Sequence, residues 1–325
     1  MTALGIDGLR VGMWTAPEGT SGCTVLLPPD GSLGAVAVRG ASPGTREAVA
    51  LGPTGKMSLC HAVVLSGGSA YGLASADGVM RWCEEHGIGY PTRIAIVPIV
   101  GAAIVLDQGV ATPAARPGPE AGYAACEAAV ADDPAEGAVG AGRGTTVAKV
   151  AGLEHCWRGG QGIAVRRHGD LVVGALVVNN AVGEVRADDG TWLARARVGD
   201  DVERFPYTDR WFPPREAAAV PGGGPTTDGG GPTENTVIGC IVTNARLSKT
   251  DAVRVADLGH TGIARSVWPA HTQADGDALF CLATHEVEAA VDLVATLAAD
   301  AVAEATRRGP LLAEGHSGLP GLADG

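Results

Sequence analysis

A tract rich in glycine and proline, residues 221–233, leads directly into an apolar segment that begins at Thr236. From Thr236 to Thr243 the residues are mostly β-branched or apolar, with Gly239 the one weak position, and this pattern predicts a buried strand. Such a junction suits a chain that must present one of its own peptide bonds to a side chain and then hold the new N-terminus rigid. The pattern by itself is more typical of a core strand preceded by a loop.

Thr236 has the chemistry for self-cleavage. A threonine hydroxyl is a poor nucleophile until a base removes its proton. A threonine at an N-terminus carries its own base, because a free α-amino group titrates near pH ~8 and is partly neutral at neutral pH. Before cleavage, the Thr236 hydroxyl could attack the carbonyl carbon of Asn235 and form an ester that water opens. Thr236 is therefore a candidate nucleophile, and Asn235–Thr236 a candidate cleavage site.

Two sequence blocks at and after this junction are specific to one family. The first runs from Asn235 to Ser248, and the second is His271-Thr-Gln-Ala-Asp-Gly-Asp-Ala-Leu-Phe280. Over most of its length the chain resembles the self-processing L-aminopeptidase/D-esterase family, in particular its branch of endo-type nylon-oligomer hydrolases, which use threonine as nucleophile. The resemblance implies an autoproteolytically activated amide hydrolase that acts through N-terminal Thr236 on linear ω-amino-acid amides, such as 6-aminohexanoate oligomers, or on related peptides.

The resemblance also implies three charged site residues. Asp275 and Asp277 match aspartates of the nylon-hydrolase branch and would orient the α-ammonium and hydroxyl groups of Thr236. Taken alone, Asp-Gly-Asp is more typical of a hairpin turn with solvated acids. Lys149 matches a lysine near the nucleophile and, if buried, would raise the neutral fraction of a neighbouring amine and stabilise developing negative charge. Taken alone, it would be an ordinary surface lysine at a strand end.

Two uncharged residues complete the predicted site. Asn180 would donate a side-chain N–H to a tetrahedral oxyanion, although asparagine between a strand and a turn is more often structural, and the adjacent Asn179 leaves the register open. Tyr71 matches a tyrosine beside the substrate cleft of the family, where it would donate a hydrogen bond or stack.

The sequence predicts no cofactor and no metal. His271, Asp275 and Asp277 have a spacing that a metal ion could use, but no second cluster of ligands supports one. The glycine-rich stretches 52–58 and 140–144 lack the full spacing of nucleotide-binding loops.

Charge and cysteine usage limit the partners and the compartment. The 325 residues carry a formal net charge of −12, which argues against nucleic acid or an anionic membrane as partner. Seven scattered cysteines, several inside apolar runs, are typical of buried thiols in a reducing compartment. Neither a secretory signal nor an apolar run of ~20 residues is present. We expect a cytoplasmic enzyme with a small amide or peptide substrate, and the resemblance implies a homo-oligomer, a tetramer, of cleaved heterodimers.

Strands in both halves, with helices that must cover two sheet faces, predict a layered α/β fold. The resemblance sharpens this to a four-layer helix–sheet–sheet–helix sandwich of the N-terminal-nucleophile type. We expect a single catalytic domain over residues 1–325, cut into a large piece, 1–235, and a small piece, 236–325, with a flexible linker over about 200–234.

Local patterns predict the individual elements. They indicate a β-hairpin over residues 23–38, a helix capped by Ser248 and Asp251, a last helix capped by Thr284, and a frayed tail after Leu311. Further helices are predicted after residue 69, ending near 86–87, and over 119–130. Further strands are predicted over 61–65, 93–97, 102–106, 163–167, 171–178, 183–186, 191–198, 236–243 and 278–282.

Three other functions stay open. Within the hydrolases, the chain could be a β-aminopeptidase or an L-aminopeptidase–D-esterase. A second enzyme class is acyl transfer to an amine, as in the distantly similar ornithine acetyltransferases, which also cleave themselves at threonine. A third is an inactive scaffold, which would remain one intact chain. The sequence departs from the nylon-oligomer hydrolases at Gln273, Ala274 and throughout the linker, so the substrate stays open.

Overall fold

The computed structural model describes residues 2–107, 113–199 and 235–325. Within these ranges there are four α-helices: α1 Ser75–Glu85, α2 Pro119–Glu127, α3 Lys249–Ser266 and α4 Val291–Leu311. The strands are β1 Arg10–Thr15, β2 Gly22–Leu27, β3 Leu33–Val38, β4 Thr45–Arg46, β5 Ala62–Ser66, β6 Tyr90–Pro91, β7 Ile96–Val97, β8 Val100–Ile104, β9 Thr146–Val147, β10 Trp157–Arg158, β11 Gly160–His168, β12 Leu171–Asn180, β13 Glu184–Arg186, β14 Trp192–Ala194, β15 Thr236–Ala245, β16 Val267–Trp268 and β17 Ala278–Val287.

Two five-stranded sheets form the centre of the fold. The first has the strand order β1-β2-β5-β8-β4, and the second has the order β11-β12-β15-β17-β3. All neighbours are antiparallel except β5 with β8 and β15 with β17. The strand that begins at Thr236 is therefore the central strand of the second sheet, between β12 and β17.

Three apolar clusters separate four layers. One lies between the two sheets and includes Leu65, Leu176 and Phe280. A second joins the outer face of the first sheet to α1 and α2, and a third joins the outer face of the second sheet to α3 and α4. The predicted helix–sheet–sheet–helix sandwich is confirmed. Its core is built mainly from Ala, Val, Leu and Ile, because the chain contains only 4% aromatic residues.

Most of the predicted elements are present. The Ser248 hydroxyl accepts a hydrogen bond from the Asp251 N–H at 3.2 Å, and the Asp251 carboxylate accepts from the Ser248 N–H, so the capping box of α3 is confirmed. The strands predicted over 93–97 and 191–198 shorten to β7 and β14, and the helix predicted over 119–130 ends at Glu127.

The predicted hairpin over residues 23–38 is wrong. Strand β2 pairs with β1 and β5 in the first sheet, whereas β3 pairs with β17 in the second. The turn residues between them do reverse the chain, but they carry it from one layer to the other. Because β2 is buried along its whole length, its sequence does not show the period-2 pattern that would identify a hairpin partner.

The C-terminal predictions need two further corrections. Thr284 does not cap a helix: β17 continues to Val287, and α4 begins at Val291 with Ala290 at its N-cap. The tail is not frayed either. The Pro320 carbonyl accepts the Arg158 N–H at 2.9 Å, and Leu322 packs against the cluster of Val147, Val185 and Ala194. Tertiary contacts, which the local sequence does not reveal, hold this segment in place.

The predicted linker over about 200–234 lies outside the described residues, and the division into two pieces stays a prediction. All seven cysteines are buried and free, and burial raises the thiol pKa of, for example, Cys23 to about 12. Among the helices in the described ranges, none has both the length and the apolar character needed to cross a bilayer.

Candidate active site

Thr236 lies at the first position of β15, at one end of the second sheet. It is 5% exposed and pairs with Asn180 of β12. Its side-chain hydroxyl forms a hydrogen bond with the carbonyl oxygen of Asn235, the residue before it. The hydroxyl of the candidate nucleophile is thus in contact with the peptide group predicted to be cut.

The Asp-Gly-Asp segment runs alongside this junction, immediately before β17. Asn235 and Asp275 form an isolated parallel bridge, and the Gly276 N–H donates to the Asn235 carbonyl oxygen at 3.2 Å. A Cβ atom on Gly276 would lie 3.0 Å from Thr236 Oγ1 and 2.7 Å from the Ser42 carbonyl oxygen. Glycine is therefore needed for the close approach of the loop to Thr236.

Asp277 is held by three N–H groups. Its Oδ1 accepts the Val237 N–H at 2.6 Å, and its Oδ2 accepts the backbone N–H of His271 at 3.1 Å and faces the His271 ring Nδ1 at 2.6 Å. Asp277 therefore contacts the residue after Thr236 directly. From the sequence, His271 had no predicted role at the site beyond its place in a family motif and a possible metal spacing. Its position six residues before Asp277 was the only sequence feature that pointed to its contact with Asp277.

Asp275 is a buried carboxyl whose pKa is raised. Its Oδ2 accepts the Thr272 N–H at 2.6 Å, and the residue is 2% exposed. Burial, followed by the negative charge of Asp277, raises the pKa of Asp275 to about 6, although the charge of Lys149 acts in the opposite direction. A carboxyl with this pKa can exchange a proton near neutral pH.

Lys149 and Asn180 form a second polar group at the site. Lys149 is 1% exposed, and its Nζ donates to the Asn180 backbone oxygen at 2.9 Å and to Asn180 Oδ1 at 3.1 Å. It opens a short 3-10 helix, Lys149–Ala151, after a left-handed residue, Ala148. The surface-lysine alternative is excluded, since this lysine is buried.

The orientation of the Asn180 carboxamide follows from its partners. Oδ1 accepts from Lys149 and from the Thr146 N–H at 3.0 Å, and Nδ2 donates to the Leu106 carbonyl at 3.0 Å. Asn179 instead donates to the Thr306 carbonyl, behind the sheet. The structure thus associates Asn180, and not Asn179, with Lys149. Its Nδ2 has one further hydrogen with which it could serve an oxyanion.

Tyr71 lies apart from these hydrogen bonds. It is 66% exposed in the short helix Ser69–Ala74, and the Arg116 guanidinium lies 4.0 Å from the centre of its ring. Its predicted role toward substrate stays a prediction. In the part of the chain that the structure describes, no group of three or more His, Cys, Asp and Glu side chains is arranged to hold a metal ion.

Comparisons with known proteins bear on the family and the fold of the chain. The family model for Peptidase family S58 matches residues 4–321. The chain is 38% identical to an uncharacterized aminopeptidase of Mycobacterium bovis, over 98% of this chain and 96% of the relative. It is 34% identical to a 6-aminohexanoate-oligomer endohydrolase of Agromyces sp. (strain KY5R), over 89% of this chain and 76% of that protein.

Two solved structures share the fold at low sequence identity. A β-aminopeptidase of Burkholderia sp. superposes with a TM-score of 0.71 at 20% identity, over 99% of this chain and 90% of that one. The L-aminopeptidase D-Ala-esterase/amidase of Ochrobactrum anthropi, described as a variant of the Ntn hydrolase fold, has a TM-score of 0.68 at 18% identity, over 96% and 86%. Both agree with the four-layer sandwich.

Proposed function

This chain belongs to peptidase family S58, a family of hydrolases of peptide-like amide bonds, and we propose that Thr236 is its nucleophile. It acts first on the bond after Asn235 and then, as a new N-terminus, on substrate. The observation that carries the proposal is the hydrogen bond between the Thr236 hydroxyl and the Asn235 carbonyl oxygen, beside two buried carboxylates.

Self-cleavage follows from groups already in contact. The Thr236 oxygen attacks the Asn235 carbonyl carbon, the C–N bond breaks, and the hydroxyl proton passes to the departing nitrogen, which becomes the α-amine. Water then hydrolyses the ester to the Asn235 carboxylate and restores the Thr236 hydroxyl. The Gly276 N–H, 3.2 Å from the carbonyl oxygen, stabilises the negative charge that develops there.

Turnover repeats the same chemistry on a substrate amide. The free α-amine of Thr236 takes the hydroxyl proton and delivers it to the leaving amine, and water hydrolyses the acyl-enzyme. Asp275, whose pKa is about 6, lies in the loop that bridges to Asn235, and we assign it as a proton acceptor for this amine. Lys149 supplies positive charge in a buried position, where charge stabilises an oxyanion more strongly than in water.

The substrate class proposed is a linear ω-amino-acid amide such as a 6-aminohexanoate oligomer. The relative of that name at 34% identity supports it. A second candidate is aminopeptidase activity, which the aminopeptidase relative at 38% identity favours. A cytoplasmic location and a homo-oligomer of cleaved heterodimers belong to the same proposal.

Intact-protein mass spectrometry of the purified chain tests the cleavage. The 32.6 kDa chain should give pieces of about 23.6 and 9.0 kDa, in proportion to residue number, and the small piece should begin Thr-Val-Ile-Gly. The pieces should co-purify, because β15 is buried between β12 and β17. Thr236→Ala should remain one inactive chain of full mass, whereas Thr236→Ser, which retains a hydroxyl, should still be cut.

Hydrolysis assays then separate the substrate classes. Release of 6-aminohexanoate units from its linear oligomers supports the first candidate, and preferential release of N-terminal amino acids from short peptide amides supports the second. Faster acyl transfer to ornithine than to water would replace both with an acyltransferase. A wild-type chain that stays intact and cleaves no amide or ester would contradict the proposal.

A further inference from the structure

Two carboxylate side chains, two residues apart in the same loop, are buried beside Thr236. Asp275 and Asp277 are 2% and 1% exposed, and burying two carboxylates is costly unless positive charge compensates them. Lys149 provides one buried positive charge near Asp275. A second positive charge is needed to make the site neutral when both carboxylates are ionised.

His271 is placed to supply that charge. Its Nδ1 lies 2.6 Å from Asp277 Oδ2, and its Nε2 lies 3.4 Å from the carbonyl oxygen of His260. Both acceptors are oxygens, so both ring nitrogens face groups that take a hydrogen bond. An imidazole carries a proton on both nitrogens only as the imidazolium cation.

The neighbouring groups leave the charge on His271. His260, from α3, meets the His271 ring edge-on at 5.0 Å, and burial lowers the pKa of His260 to about 4, so it is neutral. Arg39 lies near His260 but is paired with Asp257 at 2.6 Å. Burial by itself would lower the pKa of His271, but the hydrogen bond and negative charge of Asp277 outweigh it, and the pKa is raised.

We propose that His271 is a positioning residue that, as an imidazolium cation, holds Asp277 against the nucleophile strand and sets the pH above which Asp275 can act as a base. This inference rests on the proposed function, since Asp275 and Asp277 can affect catalysis in this way only if Thr236 is the nucleophile. The Asp277 oxygen opposite His271 accepts the Val237 N–H at 2.6 Å, so the contact carries directly to the residue after Thr236.

The sign of the effect follows from the charges. Burial and the negative charge of Asp277 raise the pKa of Asp275 to about 6, and a protonated His271 beside Asp277 offsets part of that negative charge. Without the cation, the uncompensated charge of Asp277 opposes ionisation of Asp275, and the pKa of Asp275 rises. The acid side of the pH–rate profile should therefore move to higher pH.

The backbone at His271 decides which variants are informative. Its φ of 57° is left-handed, a conformation that glycine and asparagine adopt readily. His271→Gly removes the ring without straining the chain. His271→Asn keeps a side-chain N–H donor for Asp277 but carries no charge. His285, at φ 64° in β17, provides a matched control as His285→Gly.

The experiment is the pH dependence of kcat and KM for the cleaved enzymes. His271→Gly should lose at least about 10-fold in plateau kcat, with KM little changed, because Asp277 loses the ring N–H and keeps only the backbone N–H groups of residues 237 and 271. Its acid limb should move up by about one pH unit, the low end of the effect of a neighbouring opposite charge. His271→Asn should recover most of the plateau but retain the shifted limb. His285→Gly should match the wild type.

A non-kinetic measurement covers variants that are not cut. In the Thr236→Ala background, the carboxyl of Asp275 can be titrated by carbon NMR with and without His271, and assigned with Asp275→Asn. The inference would be overturned if, in His271→Asn and His271→Gly, the acid limb of the pH–rate profile and the titration of Asp275 both stayed at their wild-type pH. A wild-type enzyme that is neither cut nor active would instead refute the proposed function, and the titration would still test the charge pair.

Discussion

Two groups of polar side chains meet at Thr236, and they are built in different ways. The acidic group, residues 271–277, is one continuous loop, so its members come together whenever the loop folds. The cationic group joins Lys149 to Asn180 across 31 positions of sequence and adds the carbonyl of Leu106. The first group has two carboxylates, a histidine and several backbone N–H donors. The second depends on a single buried ammonium group.

This difference predicts unequal tolerance to mutation. In the acidic loop, the backbone is also tied to the chain near residues 39–42, because the Asp275 and Asp277 carbonyls accept the Ser42 and Arg39 N–H groups at 2.9 Å. Loss of one side chain there leaves the loop in place. Loss of the Lys149 ammonium removes the cationic group itself.

Among changes within these two groups, Lys149→Met therefore has the largest expected effect. Methionine fills a similar volume without charge, so the fold should survive with a loss of about 1–3 kcal/mol, since oxygens of Asn180 lose a donor. Hydrolysis should fall about 10²- to 10³-fold, as for other removed oxyanion-stabilising groups. The acid limb of the remaining activity should move to higher pH, because the charge of Lys149 holds the pKa of Asp275 down.

Lys249 supplies the control for this variant. Its Nζ donates to the carbonyls of Ala50 and Gly55 at 2.7 and 2.6 Å, away from Thr236. Lys249→Met should lower the melting temperature but leave the pH profile and kcat of the folded enzyme unchanged. An Asp275 limb that stays in place in Lys149→Met would show that the two groups do not act on each other.

Gly276→Ala should have an intermediate effect, on self-cleavage above all. The new Cβ would lie 2.7 Å from the Ser42 carbonyl and 3.0 Å from Thr236 Oγ1, so the loop must shift away from the junction. We expect self-cleavage to slow about 10- to 100-fold, because small displacements of reacting groups are costly. A time course by mass spectrometry measures this rate.

Gly118→Ala is the matched control, since a Cβ there meets no atom within 4 Å and the backbone φ is −108°. It should be processed at the wild-type rate. If Gly276→Ala were processed at the wild-type rate despite the shifted loop, the position of the residue 276 N–H would not contribute to cleavage. The contribution of the acidic loop would then come from its side chains.

The same contrast explains what the sequence could and could not predict. The apolar run after Thr236 predicted β15 and Asp-Gly-Asp predicted a turn, because both are local features, but the family resemblance was needed to assign the two aspartates to the candidate site. The burial of Lys149 depends on β12 of a sheet assembled from distant strands, and only the family resemblance indicated it. His271 was missed because a histidine's role depends on what its ring faces.

The fold predictions were wrong where a segment's strand partners lie far away in the sequence. Strand β2 is buried on both faces, so its sequence does not distinguish a hairpin partner from a place in another layer. Thr284 has an acidic residue two positions later, as a helix start would, yet parallel pairing with β15 extends β17 through it. In both cases sheet pairing overrides a local signal.

Tyr71 belongs to neither group and should have the smallest effect. Its exposed ring lies under the Arg116 guanidinium at 4.0 Å, an arrangement worth about 0.5–1 kcal/mol at an exposed site. If the ring shapes the edge of the substrate cleft, Tyr71→Ala should raise KM by about 2- to 5-fold with kcat unchanged, since it removes binding shared by ground and transition states. Tyr71→Phe, which keeps the ring, should behave like the wild type.

A second tyrosine that lies under an arginine provides a control for this test. Tyr123 of α2 lies under Arg81 at 4.6 Å, and α2 covers the outer face of the first sheet. Tyr123→Ala should therefore change stability slightly and KM not at all. A loss of 10-fold or more in kcat for Tyr71→Phe would mean that the hydroxyl itself contacts the reacting groups. Tyr71 would then join Lys149 and Asn180 as a third member of the group assembled from distant parts of the chain.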